Sequence, residues 1–197
     1  MKKVIFAIII SALVGACAQI QERVYTKDRV HVKDGVTYDK RTNQPINGLL
    51  KAYQSQNILK YEIPFKDGKQ EGLAKLYDET GKLERIVPYK NDRQEGVVQF
   101  FYASGKLRAE MPYKNDKTEG ELIAYYESGK RMGTATYIDG KLEGTEKSYY
   151  ESGKLQREVA YLHDIKEGAF FEWDENGLLI KHQVYKNGTL EKDLLNK

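Results

Sequence analysis

The chain has 197 residues, with 32 Lys and Arg against 29 Asp and Glu, and its mean hydropathy is −0.67. Lys2 and Lys3 lie in an N-terminal leader, so the remainder carries 32 − 2 = 30 basic and 29 acidic residues. This near balance of interspersed charges argues against a nucleic-acid-binding stripe or a strong attraction to anionic lipid.

Residues 1–16 have the layout of an export signal. A basic start is followed by an apolar stretch from Val4 to Leu13, which is too short for a spanning helix. Leu13-Val14-Gly15-Ala16-Cys17 resembles the bacterial lipobox, which implies cleavage before Cys17 and acylation of that cysteine. The alternative is an ordinary signal peptide with an incidental cysteine.

Acylation of Cys17, the only cysteine of the chain, has two consequences. Two or three acyl chains would anchor the domain to a membrane without crossing it, and no thiol would remain for a disulfide. We therefore expect a lipid-anchored protein of the bacterial cell envelope. Ala18 is compatible with sorting to an outer membrane if the host has one.

Residues 17–29 are predicted to form a lipidated tether, and residues 30–47 an irregular first hairpin. Apolar and polar residues alternate from Val30 to Tyr38 around Asp34-Gly35, which is a strong hairpin signal. Tyr38 stands ten residues before Gly48, whereas Tyr89 stands seven before Gly96. This first hairpin is therefore predicted to have a loop three residues longer than those of the later units.

Residues 48–192 form six tandem units of equal length, and residues 193–197 a short tail. A Glu-Gly pair marks the constant period at Glu71-Gly72, Glu95-Gly96, Glu119-Gly120, Glu143-Gly144 and Glu167-Gly168. A second glycine column is Gly81, Gly105, Gly129, Gly153 and Gly177. Such self-similarity is typical of repeat architectures, in which each unit packs against its neighbours.

Each unit resolves into two strands and two turns. In one unit, residues 121–126 and 131–137 are the predicted strands, and residues 127–130 and 138–141 the turns. The second glycine column is predicted to be the left-handed residue of a hairpin loop. The glycine of Glu-Gly is predicted to permit a bulge or a close approach of neighbouring backbone. We predict that three prolines lie where a strand needs no N–H donor for its pairing: Pro64, Pro88 and Pro112.

Two aromatic columns are predicted to stack together along one face as the core of the sheet. The first is Phe65, Tyr89, Tyr113, Tyr137, Tyr161 and Tyr185, and the second is Tyr53, Tyr77, Phe101, Tyr125, Tyr149 and Trp173.

Five further aromatics are candidates for binding a partner. Tyr102, Tyr126 and Tyr150 follow the second column and are predicted to point to the opposite face, where exposed tyrosines serve as interface anchors or merely fill the surface. Phe170 and Phe171 lie in an unusually apolar strand whose two faces cannot both be buried in a single layer.

The repeated motifs resemble a known family. Residues 149–155 (Tyr-Tyr-Glu-Ser-Gly-Lys-Leu) and 113–120 (Tyr-Lys-Asn-Asp-Lys-Thr-Glu-Gly) are similar to the bacterial variant of the MORN repeat, found in YwqK-type antitoxins and in exported proteins. The resemblance implies an all-β fold: an elongated single-layer antiparallel sheet of tandem β-hairpins.

The sequence offers no sign of an enzyme. The three histidines are out of register, no metal-ligand spacing occurs, and no cofactor motif is present, so catalytic residues, metal and cofactor are all expected to be absent. The Glu of Glu-Gly is one structural position repeated in equal environments, whereas catalytic carboxylates need unequal ones.

Three classes of function remain open. The first is a non-catalytic scaffold that binds a partner protein, which the family resemblance suggests could be a toxin met outside the cytoplasm. The second is a structural or adhesive module that self-associates through its sheet edges or attaches to a host. The third is a lipid- or glycan-binding surface, which requires the five candidate aromatics to be exposed together.

Overall fold

The computed structural model describes residues 23–55 and 57–195, so the signal segment and Cys17 lie outside the described residues. The described chain is almost entirely β-strand, with one 3₁₀ turn at Lys27–Arg29. Its strands are β1 Val24–Thr26, β2 Val30–Lys33, β3 Val36–Asp39, β4 Gly48–Ser55, β5 Ile58–Lys66, β6 Lys69–Gln70, β7 Gly72–Tyr77, β8 Leu83–Lys90, β9 Arg93–Gln94, β10 Gly96–Phe101, β11 Leu107–Lys114, β12 Lys117–Thr118, β13 Gly120–Tyr125, β14 Arg131–Ile138, β15 Lys141–Tyr149, β16 Leu155–Leu162, β17 Ile165–Trp173, β18 Leu179–Lys186 and β19 Thr189–Asp193.

From β4 to β19 the chain forms one long antiparallel meander, in which β6 and β7 both pair with β5, β9 and β10 both pair with β8, and β12 and β13 both pair with β11. The two-residue strands β6, β9 and β12 each resume one residue later as β7, β10 and β13. Hairpin β2–β3 forms its own two-stranded sheet. The predicted all-β, single-layer antiparallel sheet of tandem hairpins is confirmed.

The N-terminal edge differs from the prediction. Val24–Thr26 form β1, which pairs parallel with β4, so the described end of the presumed tether is part of the sheet. Tyr25 is buried with Ile46, Leu50 and Phe65 in a small core. Val24, Tyr25 and Thr26 are residue types that favour strands. A run of three between polar residues is too short to predict a strand from the sequence.

The turns that end each unit are all of the type I′ kind. Both central residues have positive φ in each of them: Asp67-Gly68, Asn91-Asp92, Asn115-Asp116, Asp139-Gly140, His163-Asp164 and Asn187-Gly188. At the opposite ends of the hairpins, the glycine column from Gly81 to Gly177 also has positive φ, as predicted.

The Glu-Gly motif joins one unit to the next. Glu95 Oε2 accepts the amide of Asn115 at 3.0 Å, and the equivalent bond recurs from Glu71 to Asn91, from Glu119 to Asp139, from Glu143 to His163 and from Glu167 to Asn187. Each carboxylate therefore holds the turn of the following unit. The adjoining glycine has positive φ, and a Cβ on Gly96 would lie 3.1 Å from Pro88 Cγ, which fits the predicted bulge and close approach.

The prolines lie in central strands opposite these bulges. Pro64 O accepts the amide of Glu71 at 3.0 Å, the one residue between β6 and β7. Because the N and C=O of a strand residue point the same way, the missing N–H of Pro64 also faces the bulge. A ladder bond is therefore not lost.

The prediction that both aromatic columns share one face is wrong. Gly72 pairs with Tyr89, and Tyr77 is five residues further along β7, so alternation places Tyr77 and Tyr89 on opposite faces. We call the face of the first column, Phe65 to Tyr185, face A, and that of the second column, Tyr53 to Trp173, face B.

Face A carries the apolar packing of the N-terminal half. Ala74, Val87 and Val98 are buried there, with Tyr89 and Tyr113 packed against them. Toward the C-terminal half one of these positions becomes charged, since Glu146 takes the position that Val98 has two units earlier, while Val159 and Phe170 beside it are buried. Face A therefore changes in character along the sheet.

Candidate binding cleft on face A

The three candidate tyrosines join the repeats to one another. The hydroxyl of Tyr102 donates to Tyr125 O at 2.6 Å, that of Tyr126 to Tyr149 O at 2.5 Å, and that of Tyr150 to Trp173 O at 2.8 Å. All three side chains are half-buried. Their hydroxyls are thus occupied by backbone carbonyls, an arrangement that favours a structural role over partner contact.

Phe170 and Phe171 do not share a surface. Phe170 is buried on face A, where its ring lies 6.1 Å from that of Tyr185. Phe171 is half-buried on face B and stacks between His182 and Trp173, with ring centroids at 4.5 and 5.6 Å. The five candidate aromatics are therefore not exposed together, so the condition for a lipid- or glycan-binding aromatic surface is not met.

A cleft of about 550 Å³ lies on face A, in the C-terminal half of the described sheet. Its apolar lining residues are Leu122, Ala124, Met132 and Ala135. Five charged residues line it: Glu146, Lys147, Arg157, Glu172 and Lys181. Volumes of this order are usual for binding sites.

The cleft exists because one position of the repeat has no side chain in a single unit. Gly133 stands where the other units have Tyr61, Arg85, Ala109, Arg157 and Lys181. A Cβ on Gly133 would meet Lys147 O at 2.8 Å, so the close approach of β14 and β15 requires glycine here. The register of this pair shifts between Thr134 and Thr136, next to the same point.

Four charged groups of the cleft form two ion pairs. Arg157 Nη2 lies 3.4 Å from Glu146 Oε1, and Lys181 Nζ lies 2.6 Å from Glu172 Oε2. The side chains of Arg157 and Lys181 are 43% and 49% exposed. Since such exposed pairs are weak, both cations can exchange partners with an incoming ligand.

Glu146 also acts on two tyrosines of face A. Burial first, and then the nearby Glu146 carboxylate, raise the pKa of Tyr137 and of Tyr161. An acidic side chain thus replaces the apolar residue of the core column. Breaks of this kind in a local pattern are expected at functional sites.

Sequence reasoning missed this cleft. When the units are aligned, Gly133 and Glu146 each differ from the residues at the same position in the other units. These two differences indicate a cleft only if the two positions are known to lie together on face A. That knowledge needs the pairing register, which the period alone does not supply.

Face B has its own polar pairs. Glu62 contacts Lys51 Nζ at 2.6 Å and accepts the hydroxyl of Tyr77 at 2.9 Å. Burial opposes ionisation of Glu62, but the hydrogen bonds from Lys51 and Tyr77 outweigh it and lower its pKa. The hydroxyl of Tyr125 donates to Glu110 in the same way two units on.

This arrangement predicts a loss of stability in strong base. Burial, and then the hydrogen bond to Glu62, raise the pKa of Tyr77 from 10.0 to about 12. A raised folded-state pKa of an acid favours the protonated form, so its contribution is complete below pH 10 and disappears as the pH rises through about 12. With solvent screening allowed for, we expect roughly 1 kcal/mol.

The test compares urea unfolding of the wild type and of Tyr77→Phe from pH 9 to 12. The variant should be the less stable protein at pH 9, and the difference should shrink as the pH rises. A constant difference across the range would contradict the assignment.

Within residues 23–55 and 57–195, no group of three or more His, Cys, Asp or Glu side chains is placed to hold a metal ion. A search of the same residues finds no helix that is long and apolar enough to span a membrane.

Comparison with known proteins agrees with the fold. The family model described as "MORN repeat variant" matches four tandem segments of the chain, at residues 70–91, 94–115, 118–139 and 142–163. The flanking units continue the same hairpin pattern in the structure. No curated protein matches the chain.

One solved structure similar to this chain is described as "Crystal structure of GtfA/B complex bound to UDP and GlcNAc". It is 14% identical, with a TM-score of 0.29, and the match covers 70% of this chain and 27% of the other. This chain thus spans about a quarter of that one.

Proposed function

We propose that this chain, an array with four MORN-variant repeats, is a lipid-anchored, non-catalytic scaffold that binds a partner protein in the bacterial envelope or at the cell surface. Repeat arrays of this kind present long continuous surfaces to other proteins. The observation that carries the proposal is the face A cleft, where a break in the repeat pattern leaves charged groups over small apolar residues.

The chemistry of the cleft suits a protein surface. It is an open depression whose lining combines apolar and charged residues, as protein interfaces do. Arg157 is a residue type enriched at interface hot spots, and Met132, which also lines the cleft, adds an adaptable apolar contact. A partner segment with one acidic and one apolar side chain would meet both.

Anchoring rests on the sequence of the signal segment. With Cys17 acylated, the sheet would stand on a membrane surface through the short segment before β1. Ala18 supports placement at an outer membrane in a host that has one. The face A cleft would then be presented to other envelope or surface proteins.

An immunity-like role is the finer form of this proposal. The resemblance to YwqK-type antitoxins supports a toxin as the partner, and export would restrict that partner to toxins met outside the cytoplasm. A host-attachment or structural role is the alternative, for which the open sheet edges are the supporting observation.

Charge reversal in the cleft tests the proposal. The wild type, Arg157→Glu and Arg41→Glu are used separately to capture proteins from envelope extract, and each variant is first checked by thermal unfolding. Arg41 is an exposed arginine in the N-terminal segment, outside the cleft. We expect one protein to be enriched by the wild type and by Arg41→Glu.

The reversed charge at residue 157 would lie beside Glu146, so recovery of that protein should fall by about tenfold or more, equivalent to about 1.4 kcal/mol. Equal recovery by Arg157→Glu and the wild type would place partner binding elsewhere. Enrichment of no protein would count against the scaffold itself.

A further inference from the structure

Every turn that ends a unit of the array is held by the unit before it. The carboxylate of Glu167 accepts the amide of Asn187 at 2.6 Å, and Lys166 O accepts the amide of Gly188 at 3.0 Å. The same two contacts hold the turn at His163-Asp164, through Glu143 and Leu142 O. At the start of the array, Asn47 Oδ1 and Ile46 O hold Asp67 and Gly68. We call such a pair of acceptors a socket.

The last described strand has a socket with no turn in it. Leu190 and Glu191 stand one full period after Lys166 and Glu167. Tyr185 pairs with Leu190 and Val184 with Lys192, so Glu191 lies in a bulge after the turn strand, as its counterparts do, but with one extra residue where the earlier joints have two and with Lys192 in place of the glycine. Both residues are exposed, and within the described range Glu191 accepts no turn amide. The socket is therefore built and open.

The opposite end has a turn with no socket. Asp34-Gly35, between β2 and β3, has φ values of 52° and 74°, close to the 48° and 78° of Asn187-Gly188. Both residues are exposed, and a Cβ on Gly35 would meet nothing within 4 Å. It is a turn of the shape that the array binds six times.

We propose that the Asp34-Gly35 turn of one copy docks in the socket formed by Leu190 and Glu191 of a second copy. The amide of Asp34 would donate to the Glu191 carboxylate, and that of Gly35 to Leu190 O. An aspartate at the first turn position is compatible with such a socket, because Asp139 already binds Glu119 through its amide at 2.8 Å.

Apolar side chains at the two ends support the same contact. Val32, next to the free turn, is 69% exposed, and Leu190 and Leu195, at the socket, are 46% and 45% exposed. Their burial against each other would add a hydrophobic contribution to the two hydrogen bonds. Exposed strand edges with such side chains are ready templates for pairing.

The two surfaces are different and lie at opposite ends of the sheet. A contact between them is head-to-tail, so it leaves one free turn and one free socket in every dimer. Copies therefore add one after another and form an open row rather than a closed dimer. This assembly uses neither the face A cleft nor a partner protein, so it stands independently of the proposed function.

Sedimentation velocity of the purified full chain in detergent, over a concentration series, tests the assembly. The wild type should form species that grow beyond dimers as the concentration rises. Glu191→Ala should weaken association by about tenfold, equivalent to about 1.4 kcal/mol. Glu191→Gln keeps an acceptor oxygen and should retain most of the association, and Glu175→Ala, at another exposed glutamate of the last unit, should leave it unchanged.

A mixing experiment tests the head-to-tail arrangement. Gly35→Val removes the turn shape, because a β-branched residue is strained at positive φ, and alone it should not assemble. An equimolar mixture of Gly35→Val and Glu191→Ala retains one intact turn and one intact socket, so it should give dimers and nothing larger at concentrations where Glu191→Ala alone is monomeric. Monomers at all wild-type concentrations, a closed wild-type dimer, or full assembly by Glu191→Ala would overturn the proposal.

Discussion

We expect the substitution Gly68→Ala to lower the free energy of unfolding by about 3 kcal/mol. Gly68 has a φ of 76°, which alone costs an alanine about 1 kcal/mol. Its Cβ would also lie 2.7 Å from Thr37 O and overlap Val36, so the β2–β3 hairpin must shift, at a further cost of about 1–3 kcal/mol. Thr37 donates to Gly68 O at 2.8 Å, and this bond is strained by the same movement.

Gly140 provides a matched control. It is also the second residue of an Asp-Gly turn, with a φ of 85°, but a Cβ there meets nothing within 4 Å. Gly140→Ala should therefore cost only the backbone term of about 1 kcal/mol. Urea unfolding of both variants measures the difference, and equal losses would show that the hairpin is not packed on Gly68 as the structure has it.

We expect the substitution Cys17→Ser to abolish acylation of the chain. A serine hydroxyl is a far weaker nucleophile than a thiolate, so no thioether to lipid should form. Without two or three acyl chains the mature domain has no anchor, because a single chain already gives only marginal membrane binding. Incorporation of a labelled fatty acid should fall to background.

The mass of the mature chain is a second measurement. The wild type should begin at residue 17 with the mass of its acyl groups added, whereas Cys17→Ser should not be cut at that position. Ala18→Ser, at the neighbouring small residue, is the control and should keep both the label and the cleavage. A wild-type chain without label would contradict anchoring and favour an ordinary signal peptide.

The repeat period was sufficient to predict much of the fold. It located the hairpins, the left-handed glycines and the bulge at Glu-Gly, because each depends on residues close together in sequence. It did not reveal why the glutamate of that motif recurs. The bond from Glu95 to Asn115 joins residues 20 apart, and a carboxylate in a polar loop gives no sign of its acceptor role.

Properties that depend on the pairing register were harder to predict. Two columns that are both aromatic suggest one shared face, yet the pairing of Gly72 with Tyr89 puts Tyr77 and Tyr89 on opposite faces. Strand alternation makes Tyr126 a candidate for partner contact, whereas its hydroxyl bond to Tyr149 O depends on the next unit. A shift of one residue in register reverses the face of every side chain, so columns alone do not assign faces.

Because each socket receives the turn of the next unit, the length of the sheet can change only by whole units without leaving a mismatched joint. Insertion or deletion of one unit would shift the far end by two strands, or about 10 Å. The length of the sheet is therefore restricted to multiples of one unit. Gene duplication of whole units could set the length of the sheet, while every joint stays the same.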